Sequence, residues 1–161
     1  GMIERAIVEL LETGFGAPEG TVGGDLSYDA AVDDYYIWIG LVSGSTDAVF
    51  GEWTIDIDVF DNRYGQAMER ALALEAFLLK RGGHRTSQMI LDNVSQNEAP
   101  IERPWDDESA YRIGATYTFT ARRSAGSPVA LPGAPGCGIV DPVDEPDSGT
   151  DFVLWLDNAL T

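Results

Sequence analysis

Residues 53–60, Trp-Thr-Ile-Asp-Ile-Asp-Val-Phe, alternate apolar and polar side chains almost without a break. Successive side chains of a strand point to opposite faces. Trp53, Ile55, Ile57 and Val59 therefore define a dry face, and Thr54, Asp56 and Asp58 a wet, acidic one. A strand covered on one side only belongs to an antiparallel sheet, since a strand buried on both sides reads as a continuous apolar run. After Asp61 the period changes to that of a helix. Ala67, Met68, Ala71, Leu72, Leu74, Leu78 and Leu79 give an apolar face to a helix over residues 62–80. Asp61 or Asn62 suits its N-cap, Lys80 and Arg81 suit the negative end of its dipole, and Gly82-Gly83 stops it.

The same reading extends along the chain. Ile3, Ile7, Leu10 and Leu11 form the stripe of a first helix over residues 3–13, which Gly14 ends in the place of a left-handed cap. Residues 14–34, rich in Gly, Pro and Asp, read as an irregular connection. Residues 35–42 read as a strand apolar on both faces. Residues 43–52 read as a loop around Val49-Phe50, joining that strand to the alternating one as a hairpin. Residues 86–95 give a third strand, residues 101–109 a loop centred on Arg103-Pro104-Trp105, and residues 112–122 a fourth strand. In that last strand Ile113, Ala115, Tyr117 and Phe119 alternate with Gly114, Thr116, Thr118 and Thr120. The order α-β-β-α-β-β predicts an α+β domain over residues 2–123, with a mostly antiparallel sheet of about four strands and two helices packed on one face. Pro and Gly break all periodicity from Ser124 on. Residues 124–161 read as an acidic extension carrying one late apolar patch, Phe152-Val153-Leu154-Trp155-Leu156.

Charge narrows the function classes. Ten basic and 27 acidic residues give a net charge of −17, which argues against gripping nucleic acid by its phosphates or binding an anionic membrane surface. No apolar run is long enough to span a bilayer. One cysteine, Cys137, allows no intrachain disulfide, as is usual in a reducing compartment such as the cytosol.

Candidate chemistry is sparse. His84 is the only histidine, so no His-based metal cluster or catalytic triad can be assembled, and its place after Gly82-Gly83 suits a helix end. Cys137 lies among acids, which disfavour a thiolate. Asp56 and Asp58 sit ~7 Å apart on one strand face. They read as a solvated surface, as part of a cation site lacking further ligands, or as the lining of a shared channel. The acids at 141–151 lack the order of a calcium loop, and no phosphate-binding glycine loop is present. No cofactor or metal is expected. Arg103 and Trp105, types favoured at interface hot spots, stand out on a loop stiffened by Pro104.

This layout resembles the tail terminator (tail completion) proteins of long-tailed bacteriophages. The resemblance rests on the short first helix, the two-strand arm with a long tip (35–60), and the Ala/Leu helix that follows at once (63–79). A strand, the Pro104-Trp105-Asp106 segment and a final strand rich in Thr and Arg (116–123) complete it. It covers residues 2–123 and leaves 124–161 apart. It implies a structural virion protein without catalysis: a homo-hexameric ring that caps the tail tube, stops its polymerisation and joins the head connector. The implied partners are other copies of the chain, the tail tube protein and the head-tail connector protein. DNA would pass through the ring without specific binding. The implied location is the head-proximal end of the tail, after assembly in the host bacterial cytoplasm. On that reading Val49, Phe50, Trp53, Arg103 and Trp105 are the expected subunit or partner interface, and Asp56 and Asp58 face the lumen or solvent. Two other readings stand beside it: a different phage neck or connector protein, and a small cytosolic α+β ligand-binding module or enzyme with a pocket lined by Tyr35, Trp38 or Tyr117.

Overall fold

Four long strands carry the architecture. In the computed structural model, which describes residues 1–26, 28–46, 50–107 and 109–124, helix α1 (Met2–Leu10) runs into a wider π-helical turn (Leu11–Phe15). Strands β1 (Val22–Gly23), β2 (Tyr35–Thr46) and β3 (Phe50–Asp61) follow, then helix α2 (Tyr64–Leu78), and strands β4 (His84–Arg85), β5 (Met89–Glu102) and β6 (Tyr111–Arg123). The strands form one sheet in the order β1-β2-β3-β6-β5-β4. β1 runs parallel to β2, and every other neighbouring pair is antiparallel. Val49, Cys137 and all of the extension after Ser124 lie outside the described residues.

The expected α+β fold, with about four strands in the order α-β-β-α-β-β, is therefore corrected. The protein is mostly β, a six-stranded mixed and curled sheet with two short helices. The physical reasons are local. β1 and β4 have two residues each, too few to show a period, and β1 lies within a glycine-rich stretch. The expected loop over residues 43–52 is largely strand, because Ser43 to Thr46 pair with Thr54 to Gly51 through backbone groups that any residue supplies. β5 runs on to Glu102 through Asn, Gln, Glu and Pro, with three irregularities in its register.

One face of the sheet buries the core. Ile37 and Ile39 of β2, Ile55, Ile57 and Val59 of β3, and Ile113, Tyr117 and Phe119 of β6 meet Ile3, Ile7 and Leu10 of α1 and Leu74 and Leu78 of α2. Ala67 and Ala71 keep α2 close to the strands. Each such Ile or Leu contributes about 1.5–3 kcal/mol when withdrawn from water. Polar ties fix the helices over the sheet. The backbone N–H and hydroxyl of Ser87 donate to Glu9 at 2.8 and 2.7 Å. Arg70 lies over the Tyr35 ring at 3.5 Å and bonds Asp61 at 3.1 Å. Asp61 also accepts from the N–H of Arg63, the N-cap residue of α2.

Glycines end the helices, one of them in an unexpected place. The left-handed residue after α1 is Gly16, at φ 91°, not Gly14. Gly14 is small for another reason: a Cβ there would lie 2.9 Å from the Phe77 ring. After α2 the turn runs through Gly82 and Gly83 at φ 96° and 67°, and delivers His84 back under the helix end. His84 Nε2 donates to the Leu78 carbonyl at 3.1 Å and its ring lies 4.9 Å from Phe77. Burial lowers its pKa from the ordinary 6.5, against the upward pull of its backbone hydrogen bonds. The neutral ring is thus the folded form. Below about pH 6.5 the unfolded chain takes up a proton that the folded chain refuses, so stability is full above that pH and falls on acidification. Urea titrations at pH 7.5 and 5.5 should show this decline, and it should be shallower in His84→Gln.

Candidate functional site

The helix-free face of the sheet carries the polar groups that the alternation placed there, but Asp58 is withdrawn from water. Register sets Asp58 opposite Gly114, Asp56 opposite Thr116 and Thr54 opposite Thr118, with Glu98 of β5 beyond Thr116. Asp58 is 0% exposed. Its Oδ1 accepts from Arg103 Nη1 at 2.9 Å and its Oδ2 from Arg112 Nε at 2.6 Å. Arg103 also reaches Glu98 at 2.5 Å and Asp56 at 3.3 Å, and donates to Thr116 Oγ1 at 2.9 Å. Thr116 in turn donates to Asp56 Oδ1 at 2.6 Å. Gly114 makes room for this arrangement, since a Cβ there would stand 2.1 Å from Asp58 Oδ1 and 2.7 Å from Arg103 Cδ.

Burial pushes the Asp58 carboxyl upward from its ordinary range, while the hydrogen bond from Arg112 and the charges of Arg103 and Arg112 pull it down. Burial also opposes the charge on Arg103, but the carboxylates of Asp58, Glu98 and Asp56 outweigh it and raise that group. The two tendencies disagree about how well the pair tolerates ionisation. Geometry decides between them: guanidinium nitrogens on both oxygens of one carboxylate describe an ionised carboxylate.

Aromatic rings seal the network. Phe60, also 0% exposed, packs edge-on against Trp105 with centroids 4.8 Å apart, and against Tyr28 at 6.0 Å. The Arg112 guanidinium lies 5.4 Å from the Trp38 ring, 5.5 Å from Phe60 and 5.9 Å from Trp105. Trp38 lies over Gly40, where a Cβ would be 2.1 Å from its ring, and its Nε1 donates to the Gly24 carbonyl at 3.0 Å. The backbone bond from Arg103 N–H to the Arg112 carbonyl, 2.8 Å, anchors the loop that carries Trp105. This face thus holds a second, mixed core of charges and rings.

The residues expected at an interface separate into groups. Arg103 and Trp105 share the ion-paired cluster, with Trp105 folded back against Phe60. Trp53 lies on the helix side, half-buried over Gly44 and Gly51, where added Cβ atoms would stand 2.3 and 2.4 Å from its ring. Phe50, at the far end of β3, is 48% exposed. Asp56 keeps partial exposure and Asp58 none. Tyr35, Trp38 and Tyr117 do not line one pocket. Tyr35 is covered by Arg70, Trp38 lies on the helix-free face, and Tyr117 is in the core, where burial pushes its phenol up to about 12.

Sequence reasoning missed Arg112, Thr116 and Glu98 as members of the cluster. The parity of β6 held the signal for the first two, because Arg112 and Thr116 share a strand face with Gly114.

The rest of this face offers hydroxyls. Thr54 and Thr118 hydroxyls lie 3.4 Å apart, and Thr118 donates to Asn97 Oδ1 at 2.8 Å. Ser43, Gly44, Glu52, Thr54 and Thr118 line a shallow polar recess of about 380 Å³. Among the described residues no group of His, Cys, Asp and Glu could hold a metal ion, and no helix is long and apolar enough to cross a membrane. The fold and this face define a mostly-β protein in which Asp56, Asp58 and Glu98 serve Arg103 and Arg112. No protein-family model matches the chain, and no curated protein matches it either.

Proposed function

We propose that the chain is a structural subunit of a phage tail terminator, a ring that caps the tail tube, ends its polymerisation and presents a surface to the head connector. One observation carries the reading. The buried charges of the helix-free face, Asp58 with Arg103 and Arg112, are tied up in ion pairs, while large apolar side chains stand exposed on strand edges and at the hairpin end. Leu41 is 51% exposed, Val42 55%, Phe50 48% and Ile101 52%. Exposed apolar groups at edges suit burial between subunits, and a stable ring must bury on the order of 1,000 Å² at each junction. The charge of −17 suits a ring that lets a polyanion pass without holding it.

Light scattering after size exclusion over a concentration series tests assembly, with six times 17.4 kDa as the expected ring mass. The protein should also stop elongation when added to self-assembling tail tube protein. The double variant Val49→Asp with Phe50→Asp should keep its circular dichroism yet neither assemble nor cap. Tubes that grow to unchanged length beside excess protein, which itself stays monomeric at every concentration, would sink the reading.

A further inference from the structure

The two outer edges of the sheet differ from its interior in one respect: most of their length has no strand beside it among the described residues. β1 covers β2 only at Ile37 and Trp38, and β4 covers β5 only at Ile90 and Leu91. An open edge is a row of unused N–H and C=O groups that pairs with another chain unless it is guarded.

Three features make these edges fit each other. The first is direction. β2, β3, β6 and β5 alternate in sense across the sheet, so β5 of one copy set beside β2 of another meets it antiparallel, the more stable pairing. The second is level. The regular run of β2 beyond its bulge, Ser43 to Thr46, pairs with Thr54 to Gly51. The regular run of β5 between its first two irregularities is Asn93 to Gln96. Register links them strand by strand, from Ser43 to Thr54 to Thr118 to Ser95. The two open runs therefore lie at one height on opposite edges, and a copy can join without climbing, as closure into a ring requires. The third is charge. Residues 40–46 of β2 contain no charged side chain. The acids flanking the β5 run are already paired, Asp92 with Arg122 and Glu98 with Arg103.

We propose that the chain assembles by adding edge to edge: residues 43–46 of β2 pair antiparallel with residues 93–96 of β5 from a second copy, extending one sheet from subunit to subunit. The inference rests on the ring reading above and names its junction. Exposed Leu41 and Val42 beside the β2 run are the apolar groups this junction covers.

The test is a pair of cysteines in the full chain, Ser43→Cys with Ser95→Cys, in a Cys137→Ser background. Both positions are exposed, so the variant should fold. Within one copy the two lie three strand spacings apart, about 14 Å, beyond the ~7 Å that a disulfide spans. Any bond formed is therefore between copies. Under mild oxidation the expected result is a ladder of disulfide-linked species ending at the ring, absent from either single-cysteine variant and abolished by Val42→Lys. If the protein assembles by light scattering or caps tubes and yet no ladder forms, the edge junction is wrong and the ring stands. That outcome includes the case in which the chain's own residues 152–156 occupy the β2 edge. If the protein stays monomeric even beside tubes, the junction and the ring reading fail together.

Discussion

Replacing Asp58 with alanine is expected to lower the unfolding free energy by about 3–5 kcal/mol, the usual cost of removing one partner from a buried ion pair. The carboxylate is fully buried and holds a guanidinium on each oxygen. Without it Arg103 and Arg112 face each other inside a partly desolvated cluster. Arg103 keeps Asp56 and Glu98, but Arg112 loses the one carboxylate it bonds in this cluster. The loss in Asp58→Ala should therefore exceed that in Arg103→Ala, where Asp58 retains Arg112. Urea unfolding curves of the three proteins give the ranking directly. A loss below ~1 kcal/mol for Asp58→Ala, the range of an exposed salt bridge, would mean that the carboxylate is hydrated and the network is not formed.

Phe60→Ala should cost about as much, ~3–5 kcal/mol, because it empties the centre of the second core. Phe60 is the ring against which Trp105 and Tyr28 both pack, and it lies under the Arg112 guanidinium. Removing it should do more than lower stability. The loop around Trp105 is pinned by the Arg103 N–H to Arg112 carbonyl bond, so the Arg103 amide should lose protection from hydrogen exchange beyond the global loss. Ile57→Ala, a deletion on the helix side, serves as the contrast. It should weaken the whole protein and leave the Arg103 amide no more open than its neighbours. Equal behaviour of the two variants would show that the helix-free face has no core of its own.

These two residues also mark where the sequence was legible. Alternation at 53–60 located β3, its dry face and the helix after it, because each element is long enough for its period to show. Alternation could also place Asp58 on the other face, but not say that the face is closed. Closure comes from Arg103 and Arg112, 45 and 54 residues further along the chain, and from a Trp105 loop that folds back. Such partners leave no local trace. The two-residue strands β1 and β4 and the polar far half of β5 were hidden for a related reason. Their pairing is made by backbone groups, and the side chains there, Asn, Gln, Glu and Pro in β5, follow no pattern. Residue type marks the expected interface residues and carries no information about their face. Trp53 and Trp105 accordingly fell on opposite sides of the sheet, and Phe50 at its end.

The position of β6 has a mechanical consequence. Among the described residues it is the last strand along the chain, and it lies between β3 and β5, paired along nearly its whole length on both sides. A pull on the residues that follow Arg123, directed along the strand, meets two ladders of hydrogen bonds loaded in shear. All the bonds of each ladder share that load, whereas an edge strand would peel away one bond at a time. The sheet is thus built to transmit tension through its centre, along a strand held on both sides.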